Sequence, residues 1–126
     1  MLANEYQRLA MRTNDSKSTD RLTKKMIQYF SQPQDIGGII QGCLGLSGEV
    51  GELNDMIKKW IFHEADIDSQ HLMKELGDVL WYVALICESC GWSMEAVMEL
   101  NIEKLKARYP EGFSVELSAH RKEDDV

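Results

Sequence analysis

Seven apolar residues, Ile39, Cys43, Leu46, Val50, Leu53, Ile57 and Trp60, recur in alternating steps of four and three. That rhythm lays them along one line of a long helix, and such a seam needs another helix to cover it. No segment shows the β-branched alternation of a strand. The chain is therefore expected to be all-α. Periodic segments are expected over Asn4–Arg12, Leu22–Phe30, the seam helix, Gln70–Ser89, and a last helix that Ser93 caps and Tyr109–Phe113 ends. Between Val79 and Cys87 the fourth segment is apolar nearly all round, so it is expected to be buried on several sides. A domain of 126 residues can hardly surround such a helix alone, which points to a helical oligomer.

Two acidic doublets flank these apolar stretches. Glu49 and Glu52 stand three apart on the seam helix, and Glu75 and Asp78 stand three apart on the next. Residues at that spacing share a helix face. If the two helices pack together, four carboxylates converge. Each like-charge pair at ~5 Å then costs about 3 kcal/mol at an effective dielectric near 20. Such a cluster calls for protons, basic partners or a hard divalent cation such as Mg²⁺. Gly42, Gly45, Gly48 and Gly51 lie beside the acids, each costing about 1 kcal/mol relative to Ala in a helix interior. Their recurrence means either close helix approach or room for a ligand.

The last helix carries Asn101 on an otherwise apolar stripe, with Lys104 and Arg108 further along the same side. Asn101 marks a structural hydrogen bond or a site contact. Lys58, Lys59, Lys104 and Arg108 can neutralise phosphate charge, and carboxylates with a cation can hold the other end of a polyphosphate. Together these groups point to phosphoanhydride hydrolysis. Isolated ExxE and ExxD pairs are usually solvated faces, so the weight lies on the set.

The net charge of −7 makes the chain a poor candidate for general nucleic-acid or anionic-membrane binding. The N-terminus lacks a secretory pattern, and the longest apolar run falls far short of the ~20 residues of a membrane span. Cys43, Cys87 and Cys90 are an odd set without a second CxxC, and read as core cysteines of a reducing, cytoplasmic compartment. A di-iron bundle would need Glu-x-x-His, which is missing from the sequence. His71 and His120 read as surface residues.

The stretches Gly45–Asp55, Lys58–Lys59, Lys74–Tyr82 and Asn101–Phe113, with the opening Asn4–Gln7, resemble the MazG-like all-α nucleoside triphosphate pyrophosphohydrolases. The resemblance implies a four-helix-bundle-like fold over residues 1–113 that assembles as a homodimer or homotetramer. It implies cleavage of the α–β bond of a nucleoside or deoxynucleoside triphosphate, giving the monophosphate and pyrophosphate. Glu49, Glu52, Glu75 and Asp78 would hold Mg²⁺, or Mn²⁺ in its place, and one of them would orient the attacking water. Asn101 and Lys104 would contact phosphate or sugar, with Arg108 beside them. No nucleic-acid polymer or membrane is expected as a partner. A non-catalytic nucleotide- or protein-binding module of the same fold is the alternative.

The stretch from Asn14 to Ile40 is longer than in compact members. The extra helix Leu22–Phe30 would cover the nucleotide pocket or add to a subunit interface. Trp60, Phe62, His63, Trp81 and Tyr6 are candidates for a base wall or for core. Residues 114–126 are polar and are expected to form a loose tail.

Overall fold

The computed structural model describes residues 1–121, and every regular element among them is helical. The helices are α1 (Ala3–Ala10), α2 (Ser18–Tyr29), α3 (Ile36–Phe62), α4 (Ser69–Cys90), α5 (Met94–Arg108) and α6 (Val115–Ala119), with a 3₁₀ turn at Met11–Thr13 after α1. The all-α reading holds. The expected tail begins with α6, which Ser114 caps by accepting a hydrogen bond from the Leu117 amide at 3.3 Å. The rest of that tail, residues 122–126, lies outside the described residues.

Helices α3 and α4 form an antiparallel hairpin that holds nearly all the helix–helix packing. Asp68 starts α4, its Oδ1 accepting from the amides of Gln70 at 2.9 Å and His71 at 3.1 Å. Gly91 ends the helix in the left-handed conformation, φ 75°, which glycine adopts without a Cβ clash. The far ends are tied where the Asp35 amide donates to the Ser89 carbonyl at 2.9 Å.

The face of α3 that meets α4 is the glycine line, one residue round from the apolar seam. A Cβ on Gly38, Gly42 or Gly45 would fall within 3.0 Å of Ser89, Ile86 or Tyr82 respectively. Close approach therefore accounts for Gly42 and Gly45. Gly48 and Gly51 have nothing within 4 Å and are open. The seam itself is half covered: Leu46 and Leu53 are partly buried, whereas Cys43, Val50 and Trp60 are exposed. Cys43 thus departs from the expected core position, because the register gives the contact to Gly42 and Gly45 instead.

The expected burial of α4 on several sides is not met within one protomer. Met73, Leu76 and Leu80 recur along its outer side and are exposed, Leu80 by 58%. Cys87 is the one buried hydrophobic residue of the described chain. Helix α2 touches only the start of α3, leaving a hollow of about 320 Å³ among Met26, Tyr29, Phe30 and Ile36. Helix α5 packs on neither member of the hairpin beyond glancing contact. The helices of a bundle are present, but one protomer does not close them on each other.

The two kinds of glycine should respond oppositely to substitution. Gly45→Val, forced against Tyr82, is expected to lose about 1–3 kcal/mol. Gly48→Ala adds a methyl to open space and is expected to gain up to about 1 kcal/mol. Urea denaturation of both variants against wild type measures this; equal effects would refute the assignment of the contact face.

Candidate metal and phosphate site

Continuing the register from Gly42–Ile86 and Gly45–Tyr82 places Glu49 opposite Asp78 and Glu52 opposite Glu75. The carboxylates of Glu49, Glu75 and Asp78 meet: one oxygen from each lies within 4.8 Å of the others. Glu49 and Glu75 are partly buried and Asp78 is exposed, so the group sits at the rim of the hairpin rather than inside it. Glu52 stands to one side and does not join the mutual set.

The electrostatics record the crowding. Glu49 is pushed above the usual carboxylate range, first by burial, then by the charges of Asp78 and Glu75, then by a hydrogen bond with Glu75 and the charge of Glu52. An all-oxygen set of this kind suits a hard divalent cation, whose ligand oxygens stand roughly 3–4 Å apart around Mg²⁺. Three carboxylate oxygens within 4.8 Å of one another are a donor set whose chemistry fits such an ion.

Glu52 belongs to a second line along α3 with Gly48, Gly51, Asp55 and Lys59. Asp55 is the hub: Lys58 donates to its Oδ1 at 2.7 Å and Lys59 to its Oδ2 at 2.5 Å. These bonds hold Asp55 down to about 2. Lys59 is raised chiefly by Asp55, with Glu52 adding a smaller charge effect. The two lysines expected to meet phosphate are thus already held beside the carboxylates. Asp55 was not singled out from the sequence, although its i, i+3 and i, i+4 spacing to the lysines was a usable signal.

His71 was also missed. Read from the sequence as an ordinary surface residue, it bonds through Nε2 to Oε1 of Glu75 at 2.8 Å, one helical turn away. The i, i+4 spacing was again the available signal.

Helix α5 does not bring Asn101, Lys104 or Arg108 to this group by packing within the protomer. Asn101 and Lys104 are exposed, and the Arg108 guanidinium lies 6.0 Å from the Tyr109 ring centre. The aromatic candidates Tyr6, Trp60, Phe62, His63 and Trp81 are all exposed. Trp81 meets Tyr82 edge-on at 5.0 Å, so it leans on the residue that fills the Gly45 contact. Helix α2 sits at the start of α3, more than ten residues along the axis from Glu49, and does not cover the carboxylates in one protomer.

Comparison with known proteins identifies the family. The family model of the MazG nucleotide pyrophosphohydrolase domain matches residues 42–113, a span that includes both doublets and α5. A Mycobacterium phage L5 protein described as "Gene 37 protein" is 33% identical over 81 residues, covering 61% of this chain and 71% of its own length. No solved structure matches the chain.

The carboxyl shifts fix the sign of a pH effect. Glu49 binds its proton more tightly folded than unfolded, so its contribution favours folding at low pH. It opposes folding as the pH rises through the raised folded-state value. Asp55 acts in the other sense: its pairs stabilise at neutral pH and are lost as the pH falls from 3.8 through about 2. Both lysine pairs are exposed, so that loss is small. Glu49→Gln is expected to raise the melting temperature of the metal-free protein at neutral pH, with the gain fading as the pH falls to about 4. Added Mg²⁺ should stabilise wild type by mass action and the variant much less. Scanning calorimetry across pH, with and without the ion, tests both.

Proposed function

The chain belongs to the MazG nucleotide pyrophosphohydrolase family, and we propose that it hydrolyses a nucleoside or deoxynucleoside triphosphate between the α and β phosphates. The products are the monophosphate and pyrophosphate. The observation that carries this reading is the meeting of Glu49, Glu75 and Asp78 on facing helices inside the matched span.

Glu49, Glu75 and Asp78 would hold Mg²⁺, or Mn²⁺ in its place, with Glu52 beside them on α3. When bound, the cation neutralises phosphoryl oxygens and lowers the pKa of water. Lys58 and Lys59, held ready by Asp55, take further phosphate charge. The open backbone at Gly48 and Gly51 leaves the approach along that line clear. Asn101, Lys104 and Arg108 serve phosphate and sugar once α5 is brought alongside the hairpin.

Assembly supplies that step. The protomer exposes 10766 Å², whereas a compact monomer of 14.4 kDa exposes roughly 6,800 Å². The excess, roughly 4,000 Å² on one protomer, is at least what each partner of an obligate interface buries. The outer stripe of α4, with Met73, Leu76 and Leu80, is the surface for a second copy. A homodimer or homotetramer follows. No helix among the described residues is long and apolar enough to cross a membrane. Three free cysteines suit the reducing cytoplasm, where this reading places the enzyme.

Two measurements test the reading. Pyrophosphate release from a panel of NTPs and dNTPs should require Mg²⁺, stop with EDTA, and fall at least about a hundredfold in Asp78→Asn with its helicity intact. Release of single phosphate, or no turnover with any nucleotide, would reject the assigned reaction. Light scattering should show an oligomer for wild type and a smaller or unfolded species for Leu80→Glu, since an obligate apolar interface does not accept a buried unpaired charge. A monodisperse, folded wild-type monomer would remove the assembly.

A further inference from the structure

We propose that His71 is a positioning residue for the cation site: it holds Oε1 of Glu75 and leaves Oε2 as the oxygen offered to the ion. The inference rests on the reading of Glu49, Glu75 and Asp78 as the ligands. Three observations carry it. First, the contact is short and directed, 2.8 Å from Nε2 to Oε1. A carboxylate only accepts, so Nε2 carries the proton.

Second, the two partners are unequal. The His71 side chain is 56% exposed and that of Glu75 only 16%. An ordinary helix-surface pair leaves both ends in water and adds a few tenths of a kcal/mol. Here the imidazole stands on the outside and grips a carboxylate already packed among two others. Glu75 shares its neighbourhood with two further carboxylates, Glu49 and Asp78, so a donor on its outer side favours the inward position.

Third, the imidazole is itself anchored. The amide of His71 donates to the Asp68 cap at 3.1 Å, so the backbone carrying the ring sits in the best-tied turn of α4. The Asp68 cap thus fixes the backbone of His71, and the His71 ring in turn holds Glu75. Hydrogen bonds that orient ligating carboxylates set the affinity of a metal site as well as its shape.

The test is Mn²⁺ binding, followed by electron paramagnetic resonance of the free ion, on the full-length protein without nucleotide. Wild type should bind Mn²⁺. His71→Phe keeps a flat ring but no donor and should weaken binding roughly 10-fold, whereas His71→Gln keeps a donor near the Nε2 position and should stay within about threefold. His71→Ala should repeat the loss without adding bulk, and circular dichroism should show unchanged helicity in all three. Activity should then recover in His71→Phe at raised Mn²⁺, with kcat restored and the change confined to metal dependence. Wild-type affinity in His71→Phe and His71→Ala would overturn the inference while leaving the cation site standing. Equal weakening in all three would also overturn it, since the donor would not matter. A wild-type protein that binds no Mn²⁺ would bring down the ligand assignment and this inference together.

Discussion

The close approach of α3 and α4 is the constraint on which everything else depends. Gly42 and Gly45 let Ile86 and Tyr82 press against the backbone of α3. That spacing sets the register, and the register sets which acids face each other. Were the helices a side chain further apart, Glu49 would no longer share a neighbourhood with Glu75 and Asp78. The helix propensity forgone at the glycines is offset by a contact that no larger residue permits.

The hairpin is then at odds with itself electrostatically. The glycines draw together groups that repel, and Glu49 registers the conflict as a raised affinity for its proton. Like charges gathered in this way cost stability unless protons or a cation relieve them. The relief is asymmetric. His71 restrains Glu75 from outside, and Asp55 gathers two lysines on the adjoining line of α3. Lys58 and Lys59 are thus held by Asp55, with Glu52 a minor charge influence on Lys59.

Much of the fold was legible because helices announce themselves through period and caps. The steps of three and four over Ile39–Trp60 and the Ser93 cap each had a direct physical signature, and α3 and α5 follow them closely. The convergence of Glu49 with Glu75 and Asp78 followed from spacing once the helices were assumed to pack. What periodicity could not say was which neighbour covers which face. An apolar seam reports a need for cover, and a glycine line reports closeness. Here α4 took the glycine line and left the seam half open. Tyr82 and Ile86 on α4 did not mark their opposite numbers in advance. Asp55 and His71 escaped notice for another reason: a charged i, i+4 pair on a helix is so common that its meaning depends on what one end touches. Helix α5 makes no more than glancing contact with the hairpin, and Asn101 and Lys104 remain exposed.

The arrangement also separates two events in time. The acids come from neighbouring helices joined by a short loop, so the contacts that gather them are local along the chain, and local contacts form fast. The outer stripe of α4 is left open by the single chain, and the cover proposed above, a second copy, would come by a slower step that depends on concentration. On that proposal a newly made chain carries its acidic corner before any partner. During that interval Met73, Leu76 and Leu80 face water, and the chain is at its most prone to stick to the wrong neighbour.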